Sequence, residues 1–389
     1  MRRRHCHCIS TLPLAFFAFF VIALLAGCGG VSRSSNAPTP TPTPPTVNPP
    51  APGPTTSEHV VYALSGNQVF VFDAHPTQGT LQSVAGPIAT TLMNGAAIAF
   101  AAPQRVLFAT GFVCMPRGDC GNSMAVLSTS NPKAPSLLNA QSTQDTIALL
   151  VDNTGLLPIG LDPVNAFQSW RYDPAAHTFT AVGNLQAFQT GDGPSIMLHP
   201  SQQVVIGVTS VGGANGPFTT FVNSFHRDPG SGILTKSATL TLADEAGNAA
   251  MTPDGRFVLI PDTSTGAVNI VAVDGSTGAL ALAGTSASAG AFLLYHFIDA
   301  THVLGRLKVN NSDRLTMFTF NGTTLTAGAT LDLAGSGSLL SVTSVGNTIY
   351  MASTAALQMI AFDPATGSLR SIATVNTGAS SIAVNPVTP

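Results

Sequence analysis

The chain has 389 residues, of which 15 are Lys or Arg and 18 are Asp or Glu, giving a formal charge of −3. Only 8% of residues are charged, against about 25% in an average soluble domain, while 44% are hydrophobic and Gly and Pro number 37 and 28. This balance excludes a nucleic-acid binder, which needs a basic face to neutralise phosphates, and a chain disordered throughout, which would be far less apolar. No nucleic-acid partner is expected.

Residues 1–27 read as a signal segment rather than as part of a fold. Arg2, Arg3 and Arg4 make a positive start, and the apolar run from Leu12 to Ala26 is shorter than the roughly 20 residues of a comfortable membrane span. The run ends in Leu25-Ala26-Gly27-Cys28. This resembles the bacterial lipobox, in which small residues precede a cysteine that is lipidated and becomes the new N-terminus. The resemblance implies lipid attachment at Cys28, a membrane partner and a place in the cell envelope. Gly29 rather than Asp at the next position implies, by analogy with Gram-negative sorting, the outer membrane. Cys6 and Cys8 beside His5 and His7 mimic a metal cluster but lie in the segment that is removed.

Residues 28–57 form the expected tether. Nine of the seventeen residues from Pro38 to Pro54 are proline, which favours extended polyproline II and cannot bury a core. From residue 58 the texture changes to strands, and 58–389 reads as one repeat domain. A strand, a turn and a short strand recur: Val69-Phe70-Val71-Phe72-Asp73 with Gly79-Thr80-Leu81, then copies around Trp170-Arg171-Tyr172-Asp173-Pro174, Phe225-His226-Arg227-Asp228-Pro229, Val271-Ala272-Val273-Asp274, Phe318-Thr319-Phe320-Asn321 and Ala361-Phe362-Asp363-Pro364. A degenerate copy runs through Met124-Ala125-Val126-Leu127-Ser128, making seven. The complementary half-repeat opens with a short apolar strand near Ala96, Asp145, Pro194, Asn248, Phe292, Ser338 and Ser381.

This spacing, about 47 residues with four short strands per unit, predicts an all-β fold, a seven-bladed β-propeller of four-stranded antiparallel blades. The ends agree: Ser381-Ile382-Ala383-Val384 is a first strand lacking a second, and Val60-Val61-Tyr62-Ala63-Leu64 is a second strand lacking a first. Pairing the N-terminal strand with the C-terminal strand closes the ring and hides two edges.

Phe362-Asp363-Pro364-Ala365-Thr366-Gly367-Ser368-Leu369 and Thr252-Pro253-Asp254-Gly255-Arg256-Phe257 resemble the repeats of the seven-bladed lactonase family, the 6-phosphogluconolactonase-like propellers, and the related YVTN-repeat surface proteins. The resemblance spans about Glu58 to Pro389. For an active lactonase it implies a Pro-His-x-His stretch at one inner strand and Gly-Pro-Arg-His before another, with an acid one strand later. Those groups would polarise a lactone carbonyl and activate water. The matching places read Pro194-Ser195-Ile196-Met197, Gly247-Asn248-Ala249-Ala250 and Thr263, so no catalytic residue is assigned. The usual nucleophile, metal and phosphate motifs are absent as well. His199 and His296 read as structural histidines, and Trp170 as packing.

The loops leading into the inner strands offer a rim of Asn94, Gln144, Asp145, Asp192, Asp244, Glu245 and Asn248. Such a rim could bind a divalent cation or a polyhydroxylated ligand, or simply solvate the face and shape turns. No cofactor is expected. Cys114 and Cys120 bracket five residues inside a long connection expected from Thr110 to Ser123. In an exported protein they are expected to form a disulfide, the alternatives being two free thiols or a metal pair, for which no partnering His is nearby. The leading functional expectation is a lipid-anchored interaction module that presents its loop face to a protein, glycan or peptidoglycan partner. The alternatives are a hydrolase of a sugar lactone and a structural envelope protein.

Overall fold

The computed structural model describes residues 58–387 apart from 93, 115–119, 144–145, 162–165, 189–191, 213–216, 288–289, 310–311 and 334–337. The backbone alone is described at 112–114, 120–122, 192–194, 291–292, 308–309, 312–313 and 387. The signal, lipidation and tether segments at residues 1–57 lie outside the described residues.

Seven four-stranded antiparallel sheets form the propeller. Blade 1 is assembled from both ends of the domain, with Ser381–Val387 as inner strand followed outward by Glu58–Ser65, Gln68–His75 and Thr80–Ala89. The closure pairs Ala63 with Ile382 and Val61 with Val384. Blade 2 runs Asn94–Ala101, Val106–Cys114, Cys120–Ser128, Ser136–Thr143; blade 3 runs Ala148–Leu150, Ile159–Leu161, Ala166–Asp173, Thr178–Ala187. Blade 4 comprises Asp192–Leu198, Val204–Val211, Thr219–Arg227 and Leu234–Leu242, and blade 5 Ala250–Met251, Phe257–Pro261, Val268–Val273 and Leu280–Ser286. Blades 6 and 7 are Ala291–Phe297, His302–Val309, Ser312–Phe320, Leu325–Leu331 and Leu339–Val345, Thr348–Ser353, Leu357–Asp363, Ser368–Val375. The inner strands start within a few residues of the places read from the repeat.

The core is divided among the blade interfaces. Each of seven apolar clusters joins one pair of neighbouring blades. The period of two along a strand explains how: Val60, Tyr62 and Leu64 pack towards blade 2, while Val61 and Ala63 pack towards blade 7. A blade buried on both faces needs a continuous apolar run rather than alternation. That is why Glu58–Ser65 is buried at all six central positions.

Inner strands present an unpaired edge to the central axis, and neighbouring blades satisfy part of it. The Ile98 N–H donates to Ser381 Oγ (3.2 Å), Ile382 N–H to Ser341 Oγ (3.2 Å) and Ala249 N–H to Ser195 Oγ (2.9 Å). At the rim the protection differs. All seven pairings of third with outer strand carry a register shift, and none of the seven pairings of second with third strand does. The outer strands hold only two charged residues, Lys236 and Arg370, so bulges rather than charges blunt these edges.

Antiparallel order gives the propeller two ends. At the entry face the inner strands begin and second strands hand over to third strands. At the turn face lie the inner-to-second and third-to-outer turns.

Candidate functional site

The rim residues that the structure describes fall at the entry face, and three of them share one linker. Asp244, Glu245 and Asn248 lie between the outer strand of blade 4 and the inner strand of blade 5. Asn94 is exposed at the start of the blade 2 inner strand, opposite Phe112. Asp192 starts the blade 4 inner strand opposite Ser210, its backbone alone described. Gln144 and Asp145 lie outside the described residues.

The linker is held by a polar network built from both blades. Asn269 Nδ2 donates to Asp244 Oδ2, and Asn269 Oδ1 accepts from Thr285 Oγ1 at 3.0 Å. Thr220 Oγ1 donates to the Asp244 carbonyl at 2.9 Å, and the Ala246 N–H donates to Ser210 Oγ at 2.7 Å. Asp262, in the facing turn of blade 5, accepts from the Ser264 N–H and from the Ser264 and Thr265 hydroxyls. The two carboxyls are driven apart in acidity. Burial, with the neighbouring Asp262 charge, pushes Asp244 above the ordinary carboxyl range, and its Oδ1 is buried without a partner. For Asp262 burial acts in the same direction, but the hydrogen bonds from Ser264 and Thr265 outweigh it and hold the group below that range.

The places where the lactonase resemblance implies His, Arg and an acid are occupied by uncharged residues, and the side chains of two of them, Ser195 and Thr263, bond to backbone. Ser195 Oγ accepts from Ala249 N–H at 2.9 Å, the Asn248 carbonyl accepts from Leu294 N–H at 2.9 Å, and both the N–H and Oγ1 of Thr263 donate to the Glu245 carbonyl at 2.9 and 3.3 Å. None of these three side chains can act as a base at neutral pH.

The histidines sit elsewhere. His199 follows the blade 4 inner strand at the turn face, where Ser201 Oγ lies 2.8 Å from its Nδ1 and donates to the Gly275 carbonyl at 2.7 Å. A Cβ added at Gly255 or Gly275 would come within 2.1 Å of the His199 ring, so the imidazole fills the space these two glycines leave open. His296, on the blade 6 inner strand, has Nε2 3.0 Å from Ser344 Oγ on the blade 7 inner strand. That is nucleophile-to-base distance, a pairing invisible in sequence because 48 positions separate the two. Burial lowers the pKa of both His199 and His296. Among the described residues no carboxylate orients the second ring nitrogen of His296. Trp170 is buried between blades 2 and 3, as packing requires.

One set of metal-ligand side chains converges among the described residues. Glu58, Asp73 and His75 offer ligand atoms within 4.8 Å of one another. Lys133 Nζ stands 2.5 Å from Glu58 and 2.7 Å from Asp73, so one ammonium already pairs with both carboxylates and ties blade 2 to blade 1.

Cys114 and Cys120 end one strand and begin the next, in register opposite each other. The strands therefore run further than expected, and the connection shrinks to 115–119, outside the described residues. Directly opposed residues lie about 4.5–5.5 Å apart at Cα, inside the range a disulfide spans.

No family model matches the chain, and no curated protein matches its sequence. Solved structures do match. A Bacteroides fragilis protein provisionally assigned as a 6-phosphogluconolactonase superposes with a TM-score of 0.66 at 14% identity, over 86% of this chain and 100% of that one. A Bacteroides uniformis protein with the same provisional assignment gives 0.65 at 15%, over 85% and 100%. This chain has the lactonase-like propeller fold. A Lactobacillus plantarum protein shares it too, at 0.60 and 13% identity over 85% and 99%. What these propellers have in common is the fold, and the chemistry must be argued from the side chains above.

Proposed function

We propose that this propeller is a non-catalytic binding module of the cell envelope, lipid-anchored through Cys28, which presents its entry face to a protein, glycan or peptidoglycan partner. The observation that carries the reading is the use made of Ser195, Asn248 and Thr263. Where a lactonase needs acid, base and cation, the Ser195 and Thr263 hydroxyls are instead tied to backbone, and Asn248 brings only an uncharged amide. The rim of Asn94, Asp192, Asp244, Glu245 and Asn248, with Gln144 and Asp145, then serves recognition, together with the segment between Cys114 and Cys120, whose flanking strands end and begin at the same face and which this reading closes by a disulfide. The test is partner capture by cross-linking in native membranes, with the full chain and with residues 115–119 replaced by Gly-Ser. Capture lost with the melting temperature unchanged is expected. Capture that survives the replacement places recognition elsewhere.

A second reading, hydrolysis of a sugar lactone, is favoured by the fold shared with the two Bacteroides proteins and by the contact between His296 and Ser344. Lactone turnover by the full chain that disappears in His296→Ala would establish it. Absence of turnover across a panel of sugar lactones leaves the binding module.

A further inference from the structure

At the turn face, four inner-to-second turns are built alike. The fourth residue donates its N–H to the carbonyl of the first: Arg105 to Ala102 (3.1 Å), Gly155 to Asp152 (3.0 Å), Gln202 to His199 (2.8 Å) and Gly255 to Thr252 (2.8 Å). That fourth residue is left-handed in every case, with φ of 50°, 69°, 64° and 76°. Glycine adopts this conformation without strain, whereas a residue with a Cβ does so at a cost. Two of the turns use glycine. Gln202 has a structural reason to stand there, because its Oε1 accepts from the Asn153 N–H at 3.1 Å and links two turns. Arg105 has no such reason: among the described residues its guanidinium makes neither a hydrogen bond nor an ion pair.

Arg105 lines a cleft of about 320 Å³ between blades 1 and 2, walled by Phe100, Pro132 and Pro386 and edged by Ser130 and Asn385. Thr129 completes the wall, buried and with its hydroxyl unpartnered. Two other clefts on the same face differ. That between blades 5 and 6 contains Arg256, but Asp254 holds it at 2.6 Å. That between blades 7 and 1 has no Arg or Lys in its lining.

We infer that the cleft between blades 1 and 2 is a binding site for a small organic monocarboxylate, anchored by Arg105. A planar guanidinium fork matches a carboxylate in two parallel hydrogen bonds. The lining holds one unpaired cation and no second, which suits a single negative charge better than a phosphate dianion. Phe100 and the two prolines receive the organic body, and the volume fits a molecule of monosaccharide size. The site lies at the end of the propeller opposite the rim and does not depend on the function proposed above.

The experiment is calorimetric titration of the full chain with D-glucuronate and benzoate, using D-glucose and benzyl alcohol as neutral counterparts. At least one carboxylate should bind saturably and more weakly as salt is raised, with its neutral counterpart at least about tenfold weaker. Arg105→Asn keeps a residue that tolerates the left-handed turn. It should weaken binding about tenfold or more and leave the melting temperature equal or higher. Thr129→Val should weaken binding without lowering the melting temperature. The inference is overturned if neither carboxylate binds up to about 10 mM, if Arg105→Asn binds as the unaltered chain does, or if Arg105→Asn melts well below it, which would make Arg105 a structural residue.

Discussion

At the entry face between blades 4 and 5, polar side chains serve the backbone. Ser210, Thr220, Asn269 and Thr263 hold a seven-residue linker in place, and the rim acids are partly drawn into that work. At the turn face the polar side chains tie blades to each other, and clefts remain between them. Arg227 and Asp152, 1% and 2% exposed, pair at 3.1 Å between blades 4 and 3, and Lys133 joins blade 2 to Glu58 and Asp73 of blade 1. The difference follows from chain path. Linkers at the entry face must cross from a rim strand to an inner strand, so they need many backbone hydrogen bonds. Turns at the other face are short and satisfy most of their own backbone, in part through Asp173, Asp228, Asp274 and Asp363, whose carboxylates accept from turn N–H groups. Side chains outside this capping, Arg227, Lys133 and Arg105 among them, are left for ion pairs or ligands.

This contrast can be broken at several points. The largest effect is expected from ending the chain at Ser380, which removes the inner strand of blade 1. The truncated protein should lose cooperative unfolding by circular dichroism, and a retained sharp transition would mean that the closure is dispensable. Next, Arg227→Gln leaves the Asp152 carboxylate buried without its charge partner and should cost about 3–5 kcal/mol in urea unfolding. A cost below about 1 kcal/mol would place this pair among surface ion pairs. At the entry face, Ser195→Ala removes the acceptor for the Ala249 N–H and should cost about 1–3 kcal/mol. If Ser195→Ala leaves stability untouched, the bridge is not what holds blades 4 and 5 together there.

A smaller effect should appear with pH. Burial lowers the pKa of His59, His199 and His296, so the unfolded chain takes up protons near 6.5 and the folded chain only at lower pH. Protons then favour unfolding. Stability should be full above about pH 6.5 and decline as pH falls towards the folded pKa values. The melting temperature measured from pH 7.5 to 5 should show this, and His59→Gln should reduce the slope. His59 also hydrogen-bonds the buried Tyr350 hydroxyl at 2.6 Å, so a Gln that keeps a polar contact is the fairer probe. The last effect, confined to one hairpin, is expected from the cysteines. Cys114 and Cys120 stand opposite each other in register. A bridge between them should make reduction cost about 2 kcal/mol and raise the intact mass by the two hydrogen atoms that reduction adds, and an unchanged mass would mean two free thiols.

Much of the architecture was legible because it rests on short-range patterns. Continuous runs such as Val204-Val205-Ile206 announce strands buried on both faces, and in the structure Val204 and Ile206 face blade 5 while Val205 faces blade 3. The position of Asp244 and Glu245 before an inner strand was legible for the same reason. Their partners were not, since Asn269 and Thr263 come from the next hairpins. Ser344 beside His296 was equally hidden. Arg105 is the instructive miss: its position after Pro103-Gln104 resembles Pro253-Asp254-Gly255 in spacing, and a cation where another copy of the turn has glycine was the available signal.

By itself the sequence determined the number of blades, the place where each inner strand begins and the joining of the two ends into one blade, because strand period, turn chemistry and the 47-residue repeat are properties of neighbouring residues. Tertiary structure alone decided which polar groups are spent on holding blades together and which are left unpaired. That depends on contacts between residues tens or hundreds of positions apart, as with Arg227 and Asp152 or Ile382 and Ser341, and on a left-handed backbone at Arg105 that only the closed turn imposes.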